Sequence, residues 1–475
     1  MTATLLATLL LALVLAACGS DDTAPAPVTA PAPVTDPATA TDVATATPDS
    51  PAPTPSATAT PQPSEVGDAT PGGDAPPRPD SIRELVEEVA EVRGLEAPES
   101  LVALTVARAD LYDTYVALMT EEDRLELDAS TEIYRLLGYL DDTEHLWDIQ
   151  TSFLNLVLGF YSSDHKTLWV VTEEEGVGLE ELTPPQRSVL VHEIIHALQD
   201  YHFDLDATFD SLTGNLDAEL AFTSVVEGDA VVHTNRHSMR SLALPAAGGV
   251  FFLAAGNQPA RIPAPVLRTL YFPYRTGASW AGFVLVNEGT ETLNAMLAEP
   301  PPATTLILHR DLLASGWEPE ELGESSLPAD QIQESLGAGW RVRVAGSLGE
   351  FHLINYLMGD EPYIQGWLYF PTSEVQAAKG WAGDRYTVFE HDDGGRALVA
   401  RVRFTSAAEA SQFAKTHTRE ATRGAGVVQD DDFVLLKRPD GKVVGLPEPV
   451  GRDVIFAIGT SADVTRAALG PLVKG

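Results

Sequence analysis

Apolar residues recur along this chain in two periods, and the change from one to the other divides it. From Ser81 the positions Ile82, Leu85, Val86 and Val89 repeat at three and four residues, which predicts a helix with Asp80 as its cap. Helical spacing continues through Thr120–Leu140. Gly159-Phe160-Tyr161 and Leu168-Trp169-Val170-Val171 flank Ser162-Ser163-Asp164-His165-Lys166 and read as a hairpin. Thr183-Pro184-Pro185-Gln186 marks a helix start, with a Thr cap, Pro at the first helical position and Gln three residues after the cap. No Gly or Pro interrupts Arg187 to Asp200. There Val189, Leu190, Val191, Ile194, Ile195, Ala197 and Leu198 cover most of the circumference, so the helix is predicted to be buried. A second such helix spans Asp217–His233, and residues 266 to about 315 read as further helices.

From Arg385 the period falls to two. Tyr386–Phe389 and Ala397–Phe404 are predicted strands, followed by a helix from Ala407 to about Ala421. Strands near Phe433–Leu436 and Val454–Ile458 and a last helix from Ser461 complete the pattern. The fold class is α+β: a mainly helical domain over 81–315, a helical connector over 316–380, and a small α+β sandwich over 381–475 with helices on one face. His391 and His417 are expected at its surface.

Inside the first buried helix lies His192-Glu193-Ile194-Ile195-His196. Histidines four apart project from one face about one turn apart, and the neighbouring glutamate reaches a water held between them. Two imidazoles and a carboxylate in such a helix cost several kcal/mol if left without partners. A divalent zinc, which takes neutral imidazoles as ligands, removes that penalty. The plainer reading is a pair of core histidines hydrogen-bonded to backbone, with Glu193 at the helix surface. A third ligand is sought on the second helix. Glu227 lies between Val225-Val226 and Ala230-Val231-Val232, an unlikely place for an idle carboxylate; Glu219, eight residues earlier on nearly the same face, is the runner-up. Gly228 costs a helix up to about 1 kcal/mol, which suggests close approach of another chain segment. Asp229 lies about 200° round the helix from Glu227, so it is read either as a partner to a ligating histidine or as a local cap.

These residues carry a resemblance. HExxH on one helix with a glutamate on the next resembles the gluzincin metallopeptidases. More closely, His192–Asp200 followed by Val226-Glu227-Gly228-Asp229-Ala230 is similar to a poorly characterised family of bacterial secreted and lipoprotein metallopeptidases. Gly159-Phe160-Tyr161, Tyr271-Phe272-Pro273-Tyr274 with Gly277, Ile307-Leu308-His309 and Trp381–Tyr386 also match that pattern, so the resemblance covers roughly residues 81 to 475. The chain departs from it at Ala303-Thr304-Thr305, where the family has a more polar stretch. The resemblance implies a zincin-like fold, zinc on His192, His196 and Glu227, and Glu193 as general base acting on a peptide or protein substrate. It also implies a strand at Gly159–Tyr161 that lines the cleft; from the residues alone a hairpin covering the core serves equally. Tyr274, His309 and His233 are the candidates for holding the oxyanion, although an aromatic run such as Tyr271–Tyr274 also suits a core.

The beginning of the chain points to a location. Leu5–Ala17 is apolar, too short for a mature membrane span and the right length for a signal-peptide core. It closes on Leu15-Ala16-Ala17-Cys18, which resembles a bacterial lipobox, although Met1–Thr4 carries no Lys or Arg. The expectation is a lipid anchor at Cys18 on the cell membrane, with a plain N-terminal anchor or ordinary secretion as the alternatives. Cys18 is the single cysteine, so no intramolecular disulfide forms. Residues 18–80, rich in Pro, Ala and Thr, read as a disordered tether. Leu242–Ala255, broken by Pro245 and Gly248-Gly249, reads as a loop or lid. The formal charge of −39 argues against nucleic acid and anionic membranes as partners. Sequence therefore favours a surface-tethered zinc peptidase. The competing readings are an inactive zincin-shaped scaffold lipoprotein and a zinc hydrolase of cell-wall peptides.

Overall fold

The computed structural model of the chain describes residues 80–240, 262–361, 372–423, 426–428 and 433–473. Cys18, the tether and the Leu242–Ala255 loop lie outside the described residues. Among those described, no helix is long and apolar enough to cross a membrane.

The first part is helical around a small sheet. Helix α1 (Asp80–Arg93) leads into strand β1 (Val102–Ala107), then α2 (Leu111–Leu118), α3 (Glu121–Leu137) and α4 (Leu146–Phe153). Strands β2 (Gly159–Ser162) and β3 (Thr167–Thr172) form the expected hairpin, and β1 pairs with β3 in parallel, giving the order β1-β3-β2. Two long helices follow, α5 (Pro184–Phe203) and α7 (Leu216–Arg240), with the short α6 (Leu205–Leu212) between them. Next come α8 (Ala264–Phe272), a π turn over Pro273–Gly277, α9 (Ala278–Asn287), α10 (Thr290–Ala298) and the single turn α11 (Thr305–Leu308).

The rest is built on a sheet. Helix α12 (Ala329–Leu336) precedes strand β4 (Trp340–Gly346), and helices α13 (Gly349–Met358) and α14 (Ser373–Ala378) precede β5 (Trp381–His391) and β6 (Arg396–Phe404). After α15 (Ala407–Thr422) come β7 (Gly426–Val428), β8 (Val434–Lys437), β9 (Val443–Leu446), β10 (Asp453–Gly459) and helix α16 (Ala462–Val473). The seven strands run in the order β4-β5-β6-β10-β9-β8-β7, every neighbour antiparallel. The class is α+β, as expected.

Three expectations change. Strand β4 lies within the stretch read as a helical connector; its alternation over Trp340-Arg341-Val342-Arg343-Val344 is short and buries none of these residues fully. Helices cover both faces of the sheet, not one. Leu398, Ala400, Val402 and Phe404 of β6 join a core with Phe351 of α13 and Phe413 of α15, while Ala397 and Val399 pack with Ile332 of α12 and Leu469 of α16. Burial on both faces explains why Ala397–Ala400 is apolar without alternation. It also buries His417, which is 1 % exposed, not at the surface, with Nε2 2.8 Å from the Tyr356 hydroxyl.

The core that carries Phe404 continues into Leu127 and Leu136 of α3 and Phe222, Val225 and Val226 of α7. A separate cluster packs Leu85 and Val89 of α1, Val170 of β3, and Leu190, Ile194 and Leu198 of α5. The two long helices are thus clamped between the small sheet on one side and the large core on the other.

Candidate metal centre

Helix α5 starts where its sequence says it should. Gln186 Oε1 accepts from the Thr183 backbone N–H at 2.9 Å and from its hydroxyl at 2.7 Å. At the other end, the Asp200 carboxylate accepts from the Tyr161 hydroxyl at 2.6 Å and from Lys166 Nζ at 2.8 Å. The β2–β3 hairpin is thereby tied to the helix just beyond the histidine pair.

Between these ends, His192, Glu193 and His196 are all buried. Glu227 reaches them from α7. His192 Nε2 stands 3.1 Å from His196 Nε2, and Glu227 Oε2 is 3.3 Å and 3.7 Å from the same two nitrogens. These three residues form a group whose donor atoms lie within 4.8 Å of one another. A tetrahedral zinc with bonds of about 2.0–2.1 Å separates its ligand atoms by about 3.3 Å, close to the spacings here.

The electrostatics point the same way. Burial lowers both imidazoles to about 4, so they are neutral at physiological pH. Burial raises Glu227 to about 8, against the opposing pull of His196 and the Tyr274 hydroxyl. Its Oε1 accepts from that hydroxyl at 2.7 Å, whereas Oε2 is buried with no hydrogen-bond partner among the described residues. Two neutral imidazole nitrogens beside a buried carboxyl oxygen that has no hydrogen-bond donor make a ligand set that a cation would complete. The residues fit a metal ion.

Like Glu227, held by Tyr274, His196 is held from behind. Gln199 Nε2 donates to the Val226 carbonyl at 2.9 Å and to Asp229 Oδ2 at 2.7 Å. With its amide nitrogen so committed, Oε1 must face His196 Nδ1, 2.8 Å away, and accept its proton. That leaves the Nε2 lone pair for a metal. Asp229 is anchored in turn by Arg93 Nε at 2.7 Å, both side chains fully buried, with His233 Nδ1 2.9 Å from its Oδ1. Burial alone would raise Asp229; the Arg93 guanidinium, with His233 and Gln199, holds it well below the usual carboxylate range. Asp229 thus supports His196 through Gln199 and not by direct contact.

Gly228 is a point of close approach. A β-carbon there would lie 2.4 Å from the Gly277 carbonyl oxygen, and one on Gly277 would lie 2.4 Å from the Ser224 carbonyl oxygen. The two glycines let the π turn sit directly on α7, which brings Tyr274 within reach of Glu227. An insertion of this kind is a common feature of functional sites.

Glu193 is 1 % exposed, and its Oε2 has no hydrogen-bond partner among the described residues. Burial, then the charge of Glu227, pushes it well above the usual carboxylate range, opposed by the Tyr161 backbone N–H. That N–H belongs to the free edge of β2. The Val171 N–H donates to the Leu158 carbonyl, so alternation turns Phe160 toward β3 and the backbone groups of Gly159 and Tyr161 outward.

The other candidates lie elsewhere. Glu219 accepts from the Gly214 N–H at 2.7 Å and is not in the donor group. His309 Nε2 lies 2.8 Å from Glu350 Oε1. His233 is committed to Asp229. Gln199 and Arg93 escaped the reading of the sequence. Gln199 was visible at three residues after His196, the spacing that shares a helix face; nothing in the sequence joins Arg93 to Asp229, 136 residues away.

Residues 339–467 match the model of a domain of unknown function (DUF8575). The matched stretch holds the seven-stranded sheet and none of α5 or α7. No curated protein and no solved structure matches the chain.

Proposed function

We propose that the chain is a zinc-dependent peptidase, with His192, His196 and Glu227 as ligands and Glu193 as general base. The observation that carries this reading is the open Glu193 Oε2 beside an incomplete two-histidine, one-carboxylate set. A structural zinc site closes with four protein ligands and has no use for a neighbouring base. Two imidazoles with one carboxylate favour zinc over the harder magnesium or calcium. When bound, zinc supplies Lewis acidity, which acidifies water and polarises a carbonyl.

The remaining work falls to the chain. Glu193 takes a proton from water at its free oxygen and returns it to the leaving amine. The outward backbone groups of Gly159 and Tyr161 border that carboxylate, and an extended peptide can add to this edge as a further strand. Tyr274, locked on Glu227, holds the ligand in orientation. Support of the developing oxyanion, the role for which Tyr274, His309 and His233 are the candidates in the sequence, would need the single Tyr274 hydroxyl proton to turn from Glu227 to the oxyanion. The lipidated Cys18 and the Pro-, Ala- and Thr-rich tether hold the enzyme at the outer face of the cell membrane.

Glu193→Gln tests the assignment. The variant is expected to keep one zinc per chain and to lose about 10³-fold in hydrolysis of casein or of peptidoglycan-derived peptides, whichever the wild type cleaves. Full activity with zinc bound would refute the mechanism.

A further inference from the structure

The face of α7 that carries Glu227 continues, toward its N-terminus, into the wall of a cavity of about 190 Å³. Leu216, Glu219, Leu220 and Thr223 bring α7 to it, all within about 80° of Glu227 at 100° per residue. Ile133, Ile149, Phe153, Phe209, Val266 and Leu270 are among the apolar residues of its wall. The Tyr274 ring lines it as well, so one side chain separates it from the metal ligands. The pocket opens to solvent, and an apolar occupant seated against its wall would take that apolar surface out of water and gain packing contacts. About 150 Å³ of apolar cavity is enough for a benzene ring.

The acidic side chains Glu126 and Glu219 give the lining of this cavity one sign of charge. Glu126 and Glu219 both line it, each half-buried. Glu219 accepts from the Gly214 N–H at 2.7 Å and Glu126 from the Thr213 hydroxyl at 3.2 Å, and among the described residues neither has an ion pair. Burial raises both carboxyls, and the charge of Glu126 helps bring Glu219 to about 7. A third lining residue, His352, is 2 % exposed, and its Nδ1 has no hydrogen-bond partner among the described residues. A neutral hydrocarbon would fill the void and leave two carboxylates in a low-dielectric wall without a countercharge. An anion would add to the repulsion.

We propose that this cavity binds a small amphipathic cation, an aromatic or branched apolar body bearing a protonated amine. The body lies against Ile133, Phe153 and Leu270, and the ammonium, with three donors, meets Glu219 and Glu126. The proposal does not rest on the metal-site reading, and its test leaves the metal aside.

The full chain, treated with chelator so that no amine binds through a metal, is titrated calorimetrically with 3-phenylpropylamine, 3-phenylpropan-1-ol and 3-phenylpropionate. These share one apolar body and differ in charge. The amine is expected to bind at least about tenfold more tightly than the alcohol, and the carboxylate not measurably. Glu219→Gln should bring the amine down to the alcohol's affinity with the thermal midpoint of the protein preserved, which separates loss of the site from loss of the fold. Absence of amine binding, equal binding of amine and carboxylate, or amine binding unchanged in a folded Glu219→Gln protein would each overturn the proposal.

Discussion

Glu227, on the helix of the candidate metal site, and Asp384, in the C-terminal sheet, are both buried carboxylates, and the difference between them separates a candidate site from a scaffold. Asp384 is saturated. Its oxygens accept from the Leu348 and Gly349 N–H groups at 2.8 and 2.9 Å, from the Ser347 hydroxyl at 2.8 Å and from Trp381 Nε1 at 2.9 Å. Four donors bracket the turn before α13 to the start of β5, and nothing is left over for a ligand. Glu227 has one donor, Tyr274, on one oxygen; the other oxygen faces two imidazole nitrogens. Burial costs both groups the same kind of desolvation. Only Glu227 leaves part of that cost unmet by the protein itself.

The largest expected effect tests this contrast head-on. Glu227→Gln should lower zinc affinity by more than about 10³-fold while leaving thermal stability within about 1 kcal/mol, because it replaces a poorly solvated acid with a neutral amide. Asp384→Ala should do the reverse. It leaves buried N–H donors without an acceptor, costs roughly 3 kcal/mol in urea unfolding, and leaves zinc stoichiometry at wild type. If both variants lost zinc and stability together, the distinction between the two carboxylates would fall.

A smaller effect sharpens the picture of how the ligands are held. Gln199→Leu removes the acceptor that fixes His196 with its Nδ1 protonated, and is expected to weaken zinc binding by about tenfold to a hundredfold with the fold intact. Competition with a chelating dye reads this directly, independent of any substrate. Wild-type affinity in the variant would show that helix packing alone orients His196.

The effect that is smallest near neutral pH belongs to helix α15, packed on the sheet. Burial, aided by the charge of Arg438, lowers His417 to about 3. The unfolded chain binds the proton near pH 6.5 and the folded chain resists it, so this contribution is intact above about pH 6.5 and lost as pH falls toward 3. The slope is about 1.4 kcal/mol per pH unit for each such group. His417→Phe should flatten the acid limb of the stability curve by one proton, measured as the pH dependence of the urea midpoint. An unchanged slope would place the acid sensitivity elsewhere, with buried His352 the next group to replace.

How far this could be read in advance follows the range of the interactions. The start of α5, the histidine pair and the hairpin rest on residues within a few positions of one another, and all three were legible. Glu227 was legible because a carboxylate among valines has few explanations, and Gly228 because a helix tolerates glycine poorly without a reason; Gly277 is that reason. The parallel pairing of β1 with β3 depends on contacts 65 residues apart and left no local signal. The Arg93–Asp229–Gln199 chain did not either, since each member looks like an ordinary helix residue until the three helices meet. The sheet misled for a different cause: alternation tells which residues share a face, and only packing tells whether both faces are covered.

The central claim is that a cation completes the group formed by His192, His196 and Glu227. X-ray absorption at the zinc edge, on the chain loaded with one equivalent of zinc, tests it most directly. The account predicts a light-atom shell at about 2.0–2.1 Å with the multiple-scattering signature of two imidazoles, abolished in Glu227→Gln. A folded protein that takes up no zinc, or a zinc shell indifferent to Glu227, would contradict it.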